Sequence, residues 1–209
     1  SVAGMAVAPV GLLAILLSPI VGKNVTKVDP RWLATVAFSG FALVMWMRSH
    51  FNTLIDFNHI LVPTILQGGA IAFFFIPLSA ITLNGLTPDR IPAASGLSNF
   101  VRITAGAMGT STVTTIWDNR ATLHHVHMVE KVSRTDPGAM DGLNALMNTG
   151  MSFDQAAAQI TRLIDQQAFT RAADDVYLVS SFLFLCLIPI VWMAKPKKMA
   201  APVDAGGAH

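Results

Sequence analysis

The sequence predicts an all-α membrane protein with five transmembrane helices. Only 12% of its 209 residues are charged and its mean hydropathy is +0.54, whereas an average soluble domain has about 25% charged residues. The charges lie mostly outside long apolar runs, and a run of about 20 apolar residues suffices to cross about 30 Å of hydrocarbon. We therefore expect a chain embedded in a lipid bilayer, as part of a longer multi-pass membrane protein.

Five apolar runs account for these spans. In chain order they cover about residues 2–21, 32–47, 60–83, 92–117 and 176–194. The fourth is the most polar, is rich in Gly, Ser and Thr, and contains one charge, Arg102. All four tryptophans fall at span ends, where amphipathic rings prefer the membrane interface: Trp32, Trp46, Trp117 and Trp192.

The distribution of Lys and Arg predicts the orientation, because cytoplasmic connections carry an excess of positive charge. Seven Lys and Arg residues occur in one group of connections, 22–31, 85–91 and the segment from Lys195. The other group, 48–57 and 120–175, has six in about twice the length. The first set is therefore expected to be cytoplasmic. The segment 195–209 is expected to be a disordered cytoplasmic tail.

The segment 120–175 is the only sizeable piece expected outside the membrane, on the periplasmic side. Asp136-Pro137-Gly138 is typical of a turn, and Ser152 followed by Gln155 is typical of a capping box that begins a helix. Apolar residues recur behind it at helical spacing, so the sequence predicts an amphipathic helix over about 153–172. That helix either packs on the membrane face and neighbouring helices or binds a partner.

Small and polar residues suggest which helices are internal. Gly4 and Gly11 in the first span, with Gly106 and Gly109 in the fourth, favour close helix packing in lipid. The third span contains Gln67, whereas the second and fifth have almost no polar residues. We expect the first, third and fourth spans to be internal and the second and fifth to face lipid.

Arg102 is the strongest candidate for a functional residue, because a charge near the bilayer centre must face protein or water. It either contributes electrostatically to a transport pathway or ties two helices together through hydrogen bonds to carbonyl groups. Asn99 lies three residues earlier on the same helix face. With Gln67 and Phe74, one of three consecutive phenylalanines, these residues are the predicted lining of a cavity.

Other classes of function find little support. No nucleophile elbow, His-Glu-x-x-His pair or phosphate-binding loop occurs, so an enzyme is disfavoured and no catalytic residue is assigned. The single Cys186 forms no metal-binding pair, and three neighbouring histidines (His124, His125 and His127) rarely bind one ion, so no metal site is predicted. A net charge of +2 does not suggest nucleic acid.

Three stretches carry a resemblance to a known family. The stretch SPIVGKNVTKVDPRWL resembles the cytoplasmic loop in the carboxyl half of major facilitator transporters. The stretch GLSNFVRITAGAMGTS is similar to the penultimate-helix signature of the fourteen-helix drug:proton antiporters. The stretches WDNRATLHHVH and VWMAKPKK, around a long outer loop, resemble the EmrB branch of that family.

The resemblance implies that the five spans are the last five of fourteen helices. It implies export of hydrophobic, often aromatic drugs, driven by the proton-motive force without a bound cofactor, across a bacterial inner membrane. It also implies a periplasmic adaptor protein and an outer-membrane channel as partners. Residues matching the cytoplasmic loop are Gly22, Lys23, Asp29, Pro30 and Arg31.

Two alternatives remain at this point. The same fold could export one specific metabolite, since fold does not imply function. The chain could instead be a membrane scaffold or assembly subunit that transports nothing. The proton-coupling residue is not identified, since none of the five predicted spans contains Asp or Glu.

Overall fold

The described chain is built from α-helices. The computed structural model describes residues 2–24, 27–52, 57–83, 85–131 and 137–193, with side chains except those of 2–9, 57–58 and 131. No strand occurs among these residues. The helices are α1 (Val2–Asn24), α2 (Pro30–Arg48), α3 (Phe57–Leu83), α4 (Ile91–Lys131), α5 (Pro137–Asn148) and α6 (Phe153–Met193), with a single 3₁₀ turn at Pro88–Arg90. The predicted disordered tail lies outside the described residues.

The two longest helices extend well past the predicted spans. α4 and α6 each have 41 residues, which at 1.5 Å per residue is about 60 Å, twice the thickness of the hydrocarbon. α4 continues the span 92–117 to Lys131, and α6 joins the predicted helix 153–172 to the span 176–194 without a break. The reason is local, because neither 118–131 nor 153–175 contains Gly or Pro to interrupt the helix.

Among the described residues, two helical stretches are long and apolar enough to cross a membrane, by length and composition. They are His59–Leu83 and Phe153–Met193, whereas the apolar stretch Val10–Asn24 is shorter. The helical character predicted from the sequence is confirmed, and the other three spans stay predictions.

The chain divides into two compact units. Unit 1 contains α1, α2, α3, the first part of α4 to Ala107 and the last part of α6 from Ser180. Unit 2 contains residues 48–52, α4 from Met108, α5 and α6 to Val179.

In unit 1, α3 lies directly against the backbone of α1. A Cβ atom added at Gly68 would collide with the carbonyl oxygen of Val10 and would lie 3.0 Å from its Cα. At the neighbouring Gly69, a Cβ would make ordinary contacts of 3.6 and 3.7 Å with the side chains of Leu13 and Leu17. Only glycine fits at position 68, because backbone atoms cannot move aside as a side chain can.

Also in unit 1, α2 packs between α3 and the end of α6. Phe41 stacks on Phe184 of α6 with ring centroids 5.1 Å apart, and it meets Phe74 of α3 edge-on at 5.6 Å. The hydroxyl of Ser181 donates a hydrogen bond of 2.8 Å to the carbonyl oxygen of Ala42. Thus one face of the helix expected to face lipid is buried within this chain, while its Val36, Leu43 and Trp46 are exposed.

Near the start of α2, a tryptophan pair adds to this packing. Trp192 of α6 meets Trp32 edge-on with centroids 5.2 Å apart, and its Nε1–H donates a hydrogen bond of 3.1 Å to Thr35 Oγ1. Both tryptophans were predicted to lie at a membrane interface. Their contact with each other was not predicted, because the two residues are far apart in the sequence and only the tertiary structure brings them together.

In unit 2, α4 packs against α6. Trp117 Nε1–H donates to the carbonyl oxygen of Phe169 at 3.0 Å, and its ring lies 5.6 Å from that of Phe169. Further along α4, His125 reaches the earlier α6 residue Asp165. Small side chains are buried along these helices, which allows close packing: Ala121, Ala156, Ala168 and Ala172.

The predicted capping box at the start of α6 is confirmed. The backbone N–H of Gln155 donates to Ser152 Oγ at 3.3 Å, and the N–H of Ser152 donates to Gln155 Oε1 at 3.0 Å. The preceding helix α5 was missed by sequence analysis. Its Gly142 and two asparagines, Asn144 and Asn148, are poor helix formers, although Pro137 suits a first helical position.

We predict that Gly68→Ala destabilises the protein by about 1–3 kcal/mol, the usual cost of overpacking, because the new methyl group collides with the carbonyl of Val10. The measurement is the thermal unfolding midpoint of the detergent-solubilised protein. Gly69→Ala is the matched control, since its methyl group meets only flexible leucine side chains. Equal midpoints for the two variants would contradict the close approach of α3 to α1.

Candidate functional site

Arg102 lies on α4 within unit 1, beside a phenylalanine of α3. Its Cζ is 5.7 Å from the centroid of the Phe75 ring, within the range of a cation–π interaction. Arg102 is exposed in the described chain, and Phe75 is 45% exposed. An arginine in apolar surroundings gains from an aromatic face, because the ring's negative face partly compensates for lost hydration.

The other predicted lining residues are placed along the same two helices. Asn99 is exposed on α4 three residues before Arg102, and Gln67 is half-buried on α3. Gln67 precedes Phe75 by eight residues, or about 12 Å of helix rise. The structure therefore places Arg102 beside Phe75, in the carboxyl-terminal half of α3, and not beside Gln67. The cavity-lining roles of Asn99 and Gln67 stay predictions.

Phe74 is engaged in packing between helices. Its ring meets Phe38 at 5.8 Å and Phe41 at 5.6 Å, both edge-on, and touches the neighbouring Phe75 at 5.2 Å. Phe75, the next residue, is the one that meets the guanidinium of Arg102. Within this chain the two phenylalanines thus have different surroundings, and a substrate contact by Phe74 stays a prediction.

The residues that match the cytoplasmic loop form a helix end and a helix start. Gly22 and Lys23 are in the last turn of α1. Asp29 caps α2: its Oδ1 accepts a 3.0 Å hydrogen bond from the N–H of Arg31, and Pro30 is the first helical residue. The Nε of Arg31 is buried without a hydrogen-bond partner among the described residues.

The glycines predicted to mediate helix packing make no close approach within the described chain. A Cβ atom added at Gly11, Gly106 or Gly109 would meet no atom within 4 Å. Gly4 lies outside the residues whose side-chain surroundings the structure describes. Close approaches occur instead at Gly68 and, less tightly, at Gly40, where an added Cβ would lie 3.2 Å from Ala70 Cβ; sequence analysis selected neither. The packing roles of the four predicted glycines stay predictions.

Unit 2 contains a charged cluster that sequence analysis missed. Asp175 of α6 accepts a 2.8 Å hydrogen bond from His124 of α4, and the same Oδ2 atom lies 3.8 Å from Arg120. His125 forms a separate pair with Asp165 at 3.2 Å. Two features of the sequence could have indicated this cluster. Arg120 and His124 are four residues apart and therefore share one helix face, and the adjacent carboxylates Asp174 and Asp175 directly precede the last predicted span.

The neighbouring histidines thus bind carboxylates of two different parts of α6. Among the described residues, no group of three or more His, Cys, Asp or Glu side chains is arranged to hold a metal ion. The cluster is a network of ion pairs that joins α4 to α6.

Asp174, next to Asp175, has a perturbed acidity. Burial, the largest cause, raises the pKa of its carboxyl group, as does the charge of Asp175, while Arg171 and His50 lower it; together they bring the pKa to about 6. His50 belongs to the segment 48–52, so a charge from outside α6 acts on this carboxyl group. Two adjacent carboxylates in different surroundings are a recurring arrangement for proton binding near neutral pH.

Comparison with known proteins provides the context for these features. The chain is 41% identical over 208 residues to the multidrug export protein EmrB of Escherichia coli K12, covering 99% of this chain and 40% of that protein. It is 38% identical over 205 residues to the fatty acid resistance protein FarB of Neisseria gonorrhoeae, covering 98% of this chain and 39% of that protein. It is 24% identical over 162 residues to the uncharacterized MFS-type transporter YhcA of Bacillus subtilis, covering 75% of this chain and 30% of that protein.

No family model matches the chain, and no solved structure matches it with significance. The chain spans about 40% of the length of EmrB and 39% of that of FarB. Its apolar helices and its transporter relatives define a helical membrane protein of the transporter class. Within that class, the chain belongs to the family of EmrB-like multidrug export proteins.

We predict that Asp29→Ala destabilises the start of α2 by about 1 kcal/mol, the usual effect of losing a helix cap, because the N–H of Arg31 loses its acceptor. Asp29→Asn keeps an oxygen acceptor without the charge and is the matched control. The measurement is amide hydrogen exchange over the first turn of α2. Faster exchange in both variants would show that the charge of Asp29, not its capping bond, is what matters.

Proposed function

We propose that the chain is the carboxyl-terminal part of a proton-coupled multidrug exporter. It would move hydrophobic, often aromatic compounds out across the bacterial inner membrane by alternating access. The observation that carries this proposal is the 41% identity to a multidrug export protein over 99% of the chain. Identity of this degree along nearly the whole chain favours a function in common with that protein, and not merely a common fold.

The helix lengths support a multi-pass arrangement. α1, α2 and α3 have 23, 19 and 27 residues, and α4 and α6 have 41 each. Each therefore reaches, or nearly reaches, the about 20 residues that a span requires. In the proposed topology these five helices are the last five of fourteen, with the loop between α1 and α2 on the cytoplasmic side.

The contact between Arg102 and Phe75 supports a transport pathway at this place. No predicted span contains Asp or Glu, so none of these spans offers Arg102 a carboxylate partner. A lone cation in an apolar region must face water, a ligand or another part of the protein. An exposed arginine over an aromatic ring is suited to compounds that combine an apolar body with a polar group.

The parts of α4 and α6 that exceed a bilayer's thickness support an outer domain. Together with α5 they belong to unit 2, and the predicted topology has residues 120–175 on the periplasmic side. A periplasmic adaptor protein and an outer-membrane channel are the proposed partners, from the family resemblance.

The function is tested by dye efflux. We predict that cells lacking their own exporters accumulate several-fold less ethidium, a fluorescent aromatic dye, when they produce the complete transporter. Nigericin, which collapses the pH gradient, is expected to abolish the difference, whereas valinomycin, which collapses only the electrical potential, is the control. Equal accumulation with and without the transporter would favour the scaffold or assembly role.

The relative FarB, named for fatty acid resistance, favours a second candidate, an exporter of one class of amphipathic acid. Growth inhibition by a long-chain fatty acid and by ethidium separates the two possibilities. Protection against both supports a multidrug exporter, and protection against the fatty acid alone supports the narrower function.

We predict that Arg102→Ala lowers the efflux of a long-chain fatty acid anion by about tenfold, while the amount of folded transporter in the membrane is unchanged. The reason is that a pathway charge acts on the transported compound and not on folding. Arg90→Ala, in the 3₁₀ turn before α4, is the matched control, since Arg90 is an exposed arginine outside the span. Loss of efflux together with loss of folded protein would instead identify Arg102 as a tie between helices.

A further inference from the structure

The start of α2 contains a buried nitrogen atom without a hydrogen-bond partner. It is the Nε of Arg31, and among the described residues it is the one buried side-chain nitrogen or oxygen in this condition. An unpaired buried donor is costly, because it has lost water and gained no acceptor. We therefore expect an acceptor from outside the described residues, and the permanent charge of a guanidinium favours an anionic one.

The neighbouring carboxylate does not fill this role. The Oδ1 of Asp29 accepts its hydrogen bond from the backbone N–H of Arg31, as the cap of α2. Thr35 Oγ1 donates to the carbonyl oxygen of Arg31, which is again a backbone atom. None of the ion pairs among the described residues involves Arg31. The guanidinium therefore has no anionic partner within the described part of the chain.

The surroundings of Arg31 are those expected at the edge of a membrane. The next residue, Trp32, meets Trp192 edge-on at 5.2 Å, and Trp192 also donates a hydrogen bond to Thr35. Trp192 lies near the end of the apolar stretch Phe153–Met193, which is long enough to cross a bilayer. Trp32 is 57% exposed and Trp192 is 40% exposed. Exposed tryptophans at the end of a span are typical of the lipid headgroup level.

The connection that leads into α2 has an excess of positive charge. Residues 22–31 contain three cations, Lys23, Lys27 and Arg31, against one carboxylate, that of Asp29. Basic clusters directly beside a span attract the anionic headgroups of phospholipids. A guanidinium also matches a phosphate group geometrically, because it donates two parallel hydrogen bonds to two phosphate oxygens.

We propose that Arg31 binds the phosphate group of an anionic phospholipid. The buried Nε–H and a neighbouring guanidinium N–H donate to two phosphate oxygens, and Lys27, four residues earlier, adds positive charge. The Trp32–Trp192 pair lies beside the same headgroup. Binding changes no covalent bond. The inference rests on the predicted topology for the cytoplasmic leaflet, and it does not require that the transporter exports drugs.

The primary test measures lipid binding to the purified complete transporter by native mass spectrometry. Phosphatidylglycerol is the anionic probe and phosphatidylcholine is the zwitterionic one. The wild type is expected to prefer phosphatidylglycerol, and Arg31→Gln is expected to bind it about tenfold more weakly, since charged hydrogen bonds are lost. Arg90→Gln removes an exposed arginine on the same predicted side and is the matched control. Equal binding of phosphatidylglycerol by the wild type and Arg31→Gln overturns the proposal.

A conservative variant tests the role of the buried Nε. Arg31→Lys keeps the positive charge and the length of the side chain but lacks the planar set of donors. Its affinity for phosphatidylglycerol is expected to lie between those of the wild type and Arg31→Gln. An affinity equal to that of the wild type would show that charge alone is sufficient, which overturns the assignment of Nε as a phosphate ligand.

Thermal unfolding separates a lipid from other anions that would also satisfy Arg31. Phosphatidylglycerol is expected to raise the unfolding midpoint of the delipidated transporter, because a ligand of the folded state stabilises it. Arg31→Gln should lose this gain, and inorganic phosphate at the same concentration should not reproduce it. A full gain from inorganic phosphate would identify a soluble anion as the ligand. A midpoint that ignores lipid but falls in Arg31→Gln would identify a carboxylate elsewhere in the protein, and either result overturns the proposal.

Discussion

The backbone contact between α1 and α3 is the constraint on which the arrangement of unit 1 depends. Helices in lipid gain little from the hydrophobic effect, because the surrounding lipid tails are as apolar as their own side chains. Close contact between backbones therefore supplies much of the attraction, and it requires a glycine at the crossing point. Gly68 meets the carbonyl of Val10, which fixes where α3 crosses α1 and so where the phenylalanines further along α3 lie.

Those phenylalanines link the contact to the candidate site. Phe74 joins the rings of α2 and Phe75 faces the guanidinium of Arg102 on α4. Consecutive residues on a helix point about 100° apart, so one short run contacts two different neighbours. The packing of α2 and the environment of the one charge predicted to lie within a span therefore depend on the same turn of α3.

In unit 2, α4 and α6 are held together by contacts of another kind. They are joined by a tryptophan hydrogen bond, by buried alanines and by two histidine–carboxylate pairs. None of the five predicted spans contains Asp or Glu, so these acidic residues lie outside the predicted spans.

The sequence by itself determined the helical class, the capping box at Ser152, and the family, because hydrophobic runs, local hydrogen-bond motifs and short signatures are properties of neighbouring residues. The continuity of α6 from 153 into the predicted span could also have been read from the absence of Gly and Pro in 153–175. Only the tertiary structure decided that Gly68 is the crossing point, that Phe75 meets Arg102, and that Asp175 binds His124. Each of these depends on residues distant in the chain, whose meeting is set by how whole helices pack and not by any local pattern.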